Sequence, residues 1–314
     1  MRYYVKKIIS LIMVLFLIML LTFIAFQVIP GDGALSKLGV DAEEEAVEAL
    51  REALGYNKSM PERFFCFMSG AIRGDFGTSY QYSRPVSDLL AARLPVTVGL
   101  AVISILMIVV LSVPLGLLCS HREGGVADSI ITFVTQTLMA VPAFFLGILI
   151  TLLFGLVLKW FVPGSYVAPG ENFGQFLHYM IFPAFAIAVP KIAMTVKFLK
   201  TSVLRELKLD YVRTARSKGN SERRVLWHHV LKNALIPVIT FMGMVIADVL
   251  AGSIVIEQVF NLPGVGRLLI SAISNRDYPV VEAIVVYIAS VVLIVNFIVD
   301  LLYQKVDPRV KLQD

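Results

Sequence analysis

Three stretches of this chain hold no charged side chain for longer than a bilayer needs. None occurs between Lys7 and Asp32, between Arg93 and Arg122, or between Asp128 and Lys159. About 20 consecutive apolar residues carry a helix across the hydrocarbon core, so each stretch can cross once. Only 16% of the residues are charged, against roughly 25% in soluble domains. A soluble reading would leave two domains with largely apolar surfaces. The chain is read as an all-α polytopic membrane protein.

Arg2, Lys6 and Lys7 precede "IISLIMVLFLIMLLTFIAFQVI". That apolar core exceeds the h-region of a signal peptide, and no A-x-A-like site follows it, so a retained first span is expected. Six spans are predicted, at about 8–29, 96–119, 130–158, 177–200, 234–257 and 281–303. The third is long enough to tilt or to extend beyond the hydrocarbon. The fourth contains Pro183, Pro190 and Lys191 and is expected to be broken. Broken backbone is tolerated where neighbours satisfy it, which points this span toward the bundle interior.

Lysine and arginine in short flanking segments set orientation. The connection 201–233 holds eight basic against three acidic residues, and the ends add Arg2, Lys6, Lys7, Lys305, Arg309 and Lys311. With six spans these segments share one side, which is read as cytoplasmic, so both termini lie there. The opposite side carries the long connection 30–95. Within it, "DAEEEAVEALREALG" places Ala46, Leu50 and Leu54 on one helical face. Two further outer connections follow, "KWFVPGSYVAPGENFG" and "NLPGVGRLLISAISNRDYP". The second has a Pro-Gly-x-Gly turn and a short semi-apolar helix that can dip back toward the bundle. Cys66 and Cys119 give no metal spacing, and the topology puts them near opposite faces.

No G-x-x-x-x-G-K-[ST] loop, H-E-x-x-H or G-x-S-x-G occurs. His228 and His229 are adjacent, hence on different faces of a helix, and read as interfacial residues. No catalytic constellation or metal site is expected. Ionisable groups inside the spans remain. Such groups are costly and usually face a bundle interior or a watery path. Asp248 lies near mid-span, with Ala247, Ala251 and Gly252 permitting close helix approach. It reads either as a pathway group for a cationic or amine-bearing solute or as a structural carboxylate. Glu257, nearer the outer end, reads as a structural or gating hydrogen bond. Lys191 either pairs across helices or snorkels.

The basic connection has its own pattern. "LRELKLDYVRTARSKG" is helical in character and ends at Gly219, a natural C-cap. Asn220 and Ser221 offer an N-cap for a second, short amphipathic helix to about Lys232. There Leu226, Trp227, Val230, Leu231, Ala234 and Leu235 form an apolar stripe, with Glu222, Arg223, Arg224 and Lys232 mostly off it. A positive-inside loop against anionic lipid explains the charge, but not the helix–Gly–helix–Pro order.

"DYVRTARSKGNSERRVLWHHVLKNALIP" resembles the EAA-type loop of bacterial ABC importer permeases, in the form found in B-type subunits of the dipeptide/oligopeptide/nickel family. The general pattern is E-A-A, three residues, Gly, then I-x-L-P. Here Arg213, Thr214 and Ala215 stand in its first positions, then Gly219, then Leu235, Ile236 and Pro237. Arg213 replaces the leading Glu, and Pro237 lies further from the glycine than in the general pattern. "GDFGTSYQYSRPV", "VIEQVFNLPGVGRLL", "RDYPVVE" and "VDLLYQKVDPRVK" resemble other segments of the same family, in order.

The resemblance implies a type I importer permease in the bacterial inner membrane. Residues 1–95 would hold the first span and the extracytoplasmic segment, and 96–314 a five-helix core with the coupling loop at about 201–233. It implies a second permease subunit, two cytoplasmic ATPase subunits that bind ATP and Mg, an external solute-binding protein, and membrane lipid but no nucleic acid as partners. The chain itself would need no cofactor. Arg213, Ala215, Gly219, Asn220, Ser221, Glu222, Arg223, Arg224 and Trp227 would engage the ATPase. Asp248, Glu257 and Lys191 would belong to the solute path. Pro263, Gly264, Gly266 and Arg267 would form the outer gate or meet the binding protein. Peptides are the expected cargo, and nickel or a metal chelate fits the same architecture. A secondary transporter predicts internal repeats and no docking insert; a membrane enzyme lacks its constellation.

Overall fold

Backbone polar groups in a bilayer must be satisfied within their own segment, which leaves helices as the element for apolar runs like these. The computed structural model describes residues 2–28, 38, 42–53 and 57–306. Its helices are α1 (Arg2–Val28), α2 (Glu44–Ala53), α3 (Met60–Arg73), α4 (Val86–His121), α5 (Val126–Ala140), α6 (Ala143–Val157), α7 (Phe173–Glu206), α8 (Asp210–Ser217), α9 (Glu222–Val259), α10 (Val265–Ser274) and α11 (Tyr278–Val306). Among the described residues the extended pairing is one isolated bridge, Thr78 with Pro85. Five helices are long and apolar enough to cross a membrane, and α5 with α6 makes a sixth crossing if the bent pair counts as one.

The third predicted span is the one that breaks. α5 and α6 meet at 100° around Pro142, with Val141 extended (φ −90°, ψ 122°), as the ring of a following proline demands. The fourth span, by contrast, runs unbroken as α7 with Pro183 and Pro190 inside it. Both of those prolines are buried, whereas Pro142 is exposed. Dense packing holds α7 helical despite the lost N–H groups; no such packing surrounds Pro142. The expected interior position of α7 is observed, since α5, α6 and α9 all pack against it.

The chain divides into two compact units. One comprises residues up to Val96 with Pro263–Ile294. In it, Phe23 of α1 meets Phe64 and Phe67 of α3, with ring centroids 5.5 and 6.2 Å apart. The sequence reading passed over α3. It starts at Ser59, whose backbone N–H donates to Glu62 at 3.0 Å and holds that carboxyl below the usual carboxylate range. It stops at Gly74, whose φ of 76° only glycine adopts cheaply. On α2 it is Val47 that is buried, while Ala46 is exposed; Leu54 lies outside the described residues. α10 lays Val265, Leu268 and Ala272 against Val86, Leu89 and Leu90 of α4 and against Val280, Val281 and Ile284 of α11.

The other unit comprises Thr97–Leu262 with the C-terminal part of α11. Gly147 of α6 lets α9 come close: a Cβ there would stand 3.1 Å from Ile256 and 3.2 Å from Phe260. Phe161 stacks on Phe182 at 4.3 Å, and the Tyr179 hydroxyl donates to the Phe260 carbonyl at 2.7 Å. These contacts lock the loop 158–172 onto α7 and the end of α9.

Candidate coupling elbow and intramembrane charges

At the basic end of the second unit, α8 and α9 meet in an elbow. Asp210 opens α8, where an acid suits the helix dipole. Val212 and Ala215 face inward onto Leu117, Leu199, Val203, Val225 and Leu226, a buried apolar base. Gly219, at φ 78°, turns the chain. A Cβ at Gly219 would meet nothing within 4 Å, so conformation, and not space, requires glycine there.

Side chains then fasten the turn. The Asn220 amide donates to the Ala215 carbonyl at 2.9 Å, satisfying an end of α8. Ser221 caps α9, accepting from the Arg224 N–H. Arg216 grips Glu222 through two bonds of 2.8 and 3.1 Å across the glycine. Tyr211 donates to Glu206 at 2.8 Å, and burial pushes its phenol up to about 12, so it stays protonated and able to donate.

The predicted short second helix is not separate. From Glu222 the helix continues to Val259 without a break, with a π-wound stretch at Val225–Val230. The reason is the stripe itself: Val225, Leu226, Val230, Leu231, Ala234 and Val238 share one core, and only an uninterrupted helix can bury all of them. The free-standing short helix is α8, before Gly219.

Of the residues read as coupling groups, Arg213, Gly219, Ser221, Glu222, Arg223, Arg224 and Trp227 are exposed, Asn220 is half-buried and Ala215 is buried. Trp227 and Arg223 edge an apolar groove of about 290 Å³ against Leu117, Leu118 and His121 of α4. The elbow therefore presents a basic rim and one aromatic on a rigid base.

The intramembrane charges separate into different environments. Lys191 and Asp248, singled out individually, meet at 2.7 Å across α7 and α9. Glu257 is fully buried and accepts from the Thr97 hydroxyl of α4 at 2.6 Å, a place for a helix-to-helix bond. A third pair escaped the sequence reading: Lys200 of α7 binds Asp128 of α5. Asp128 also accepts from the Gly124 N–H at 3.0 Å and the Thr132 hydroxyl at 3.1 Å.

In the first unit, Gly264 caps α10; Gly264 and Gly266 are buried, Pro263 is half-buried and Arg267 is exposed. A further group went unread there. Asp277 is fully buried and accepts from the Ser79 hydroxyl and from the backbone N–H groups of Tyr80 and Gln81. It pins the loop 77–85 to the start of α11. Its position just before Tyr278-Pro279 is an N-cap signature that could have revealed it.

Comparison with known proteins covers nearly the whole chain. The profile of the family described as "Binding-protein-dependent transport system inner membrane component" matches residues 112–312. The profile of its N-terminal portion matches residues 1–101. A Sinorhizobium fredii protein named as a probable peptide ABC transporter permease is 34% identical over 98% of this chain and 99% of its own. An oligopeptide transport system permease of Bacillus subtilis is 35% identical over 98% and 99%. A glutathione transport system permease of Pectobacterium atrosepticum is 35% identical over 99% of both.

Proposed function

The chain belongs to the binding-protein-dependent transport system inner membrane components, and from that premise we propose that it is the B-type permease subunit of a peptide importer. It is a multi-pass protein of the bacterial cytoplasmic membrane and a transmembrane permease of an ABC importer. In the proposed reading it forms the solute path with a second permease subunit. Two ATPase subunits bind ATP and Mg and drive it, and an external binding protein delivers cargo. Relatives named for peptide, oligopeptide and glutathione transport favour short peptides.

The observation that carries the reading is the elbow at Asp210–Arg224. Its glycine turn, its reciprocal caps and the Arg216–Glu222 clasp make a stiff handle that moves with α9. A force applied to α8 passes through the buried base into a 38-residue helix, and so into the membrane. The exposed arginines suit an acidic rim on an ATPase. The excess of basic residues in 201–233 supports a cytoplasmic position for this end. In the first unit the loop 77–85, pinned by Asp277, is read as part of the surface that receives the binding protein.

The test is co-purification of the tagged chain with an ATPase pair, with a cysteine at Arg213 carrying a short crosslinker. Crosslinks to the ATPase, abolished by Arg223→Glu with Arg224→Glu, are expected. An intact complex whose crosslinks never involve the elbow would contradict the reading.

A further inference from the structure

The Lys191–Asp248 pair is open where an ion pair has least reason to be. Both residues lie well inside their spans, yet the Asp248 side chain is 55% exposed and that of Lys191 20%. Hydrocarbon is a poor cover for such a pair, because the ions lose hydration and gain no further partners. The face around Asp248 has a definite composition. The exposed residues of α9 run Thr240, Met244, Asp248, Ala251, Val255 and Gln258, at steps of three and four, hence along one side. The stripe is polar at both ends and charged in the middle. One turn from Asp248, Gly252 borders open space: a Cβ there would meet nothing within 4 Å. Among the described residues, the Asp248 carboxylate has Lys191 as its one partner, through a single oxygen.

We infer that this face lines the solute path and that Lys191 and Asp248 together read the two charged termini of a peptide. The inference rests on the permease reading above. Asp248 receives the ammonium terminus at its unbonded oxygen and in the hollow beside Gly252. Lys191, on its flexible four-carbon stem, swings away and takes the carboxylate terminus. One ion pair opens and two form, so no charge is stranded in the path. A cargo with a blocked amine strands Asp248, and one with a blocked carboxylate strands Lys191. Stranding a charge in a poorly hydrated path is strongly unfavourable. Because the resting pair satisfies itself, the contact closes again once cargo leaves, as conduction requires.

The experiment uses the complete importer in proteoliposomes at saturating loaded binding protein. Initial uptake is read for one dipeptide and its N-acetylated and C-amidated forms, all of which the binding protein is first shown to hold. Wild type is expected to favour the free dipeptide by about tenfold or more, the effect of one unpaired charge. Asp248→Asn should erase the preference over the N-acetylated form alone, and Lys191→Gln the preference over the amidated form alone. The inverted double variant K191D/D248K keeps an ion pair for assembly and should keep both preferences. Wild-type rates equal for all three cargoes, or variants that scale all three rates by one factor, would overturn the inference. Wild type that moves no peptide at all would instead remove the peptide-importer reading beneath it.

Discussion

Two of the three lysines of helix α7, Lys191 and Lys200, lie nine residues apart, and each reaches an aspartate on another helix. Lys200 finds Asp128, whose side chain is 8% exposed and which also accepts from Gly124 and Thr132. Lys191 finds Asp248, open to its surroundings and bonded through one oxygen. The residue types are the same, and the number of partners differs. A carboxylate with three donors is fixed in place and ties α5 to α7. A carboxylate with one donor can exchange it. An ion pair in a membrane protein is therefore judged by what else its members touch.

The largest expected effect comes from breaking the closed pair. Asp128→Ala should lower stability in detergent by about 2 kcal/mol, since it strands a partly buried ammonium and frees the Gly124 N–H. Thermal unfolding of the purified protein measures this. At the elbow, Gly219→Ala should cost about 1–2 kcal/mol of left-handed backbone strain. It should also raise the ATP hydrolysed per peptide imported, read in the assembled transporter. Arg216→Ala removes an exposed clasp and should cost less than about 1 kcal/mol. Asp248→Asn should change unfolding by less than that, while altering transport; this contrast with Asp128 is the comparison at its sharpest.

A final variant tests whether an open pair can be closed. Asp128 gains a hydroxyl donor from Thr132 four residues on; Gly252 occupies the same offset from Asp248. A Cβ at Gly252 meets nothing within 4 Å, and Gly252→Thr should give Asp248 an equivalent bond. A gain of a few tenths of a kcal/mol is expected from helix propensity, together with slower peptide uptake. Faster uptake would count against a role for the hollow beside Gly252.

The spans and the basic connection were legible because charge and hydropathy act one residue at a time. The break was misplaced because Pro142, Pro183 and Pro190 send the same local signal, and only packing distinguishes them. α3 escapes the sequence reading because its apolar positions sit among polar ones within the long connection 30–95, although Ser59 and Glu62 mark its start. Lys191 and Asp248 were each visible as intramembrane charges. Their union depends on how α7 packs against α9, 57 residues away, which no spacing rule reports. The second elbow helix and the fifth span read as separate because the polar Lys232 and Asn233 stand between them, whereas the apolar stripe continues from Val225 to Val238.

The central claim is that this chain carries peptides under the power of separate ATPases gripping the elbow. Its most direct test is uptake of a labelled dipeptide into proteoliposomes holding the chain, its partner permease and the ATPase pair, with loaded binding protein outside. Uptake that requires ATP on the elbow side and collapses in the Arg223→Glu, Arg224→Glu variant, while the complex stays assembled, is the predicted result. Uptake that proceeds without ATP and follows an imposed ion gradient would contradict the account.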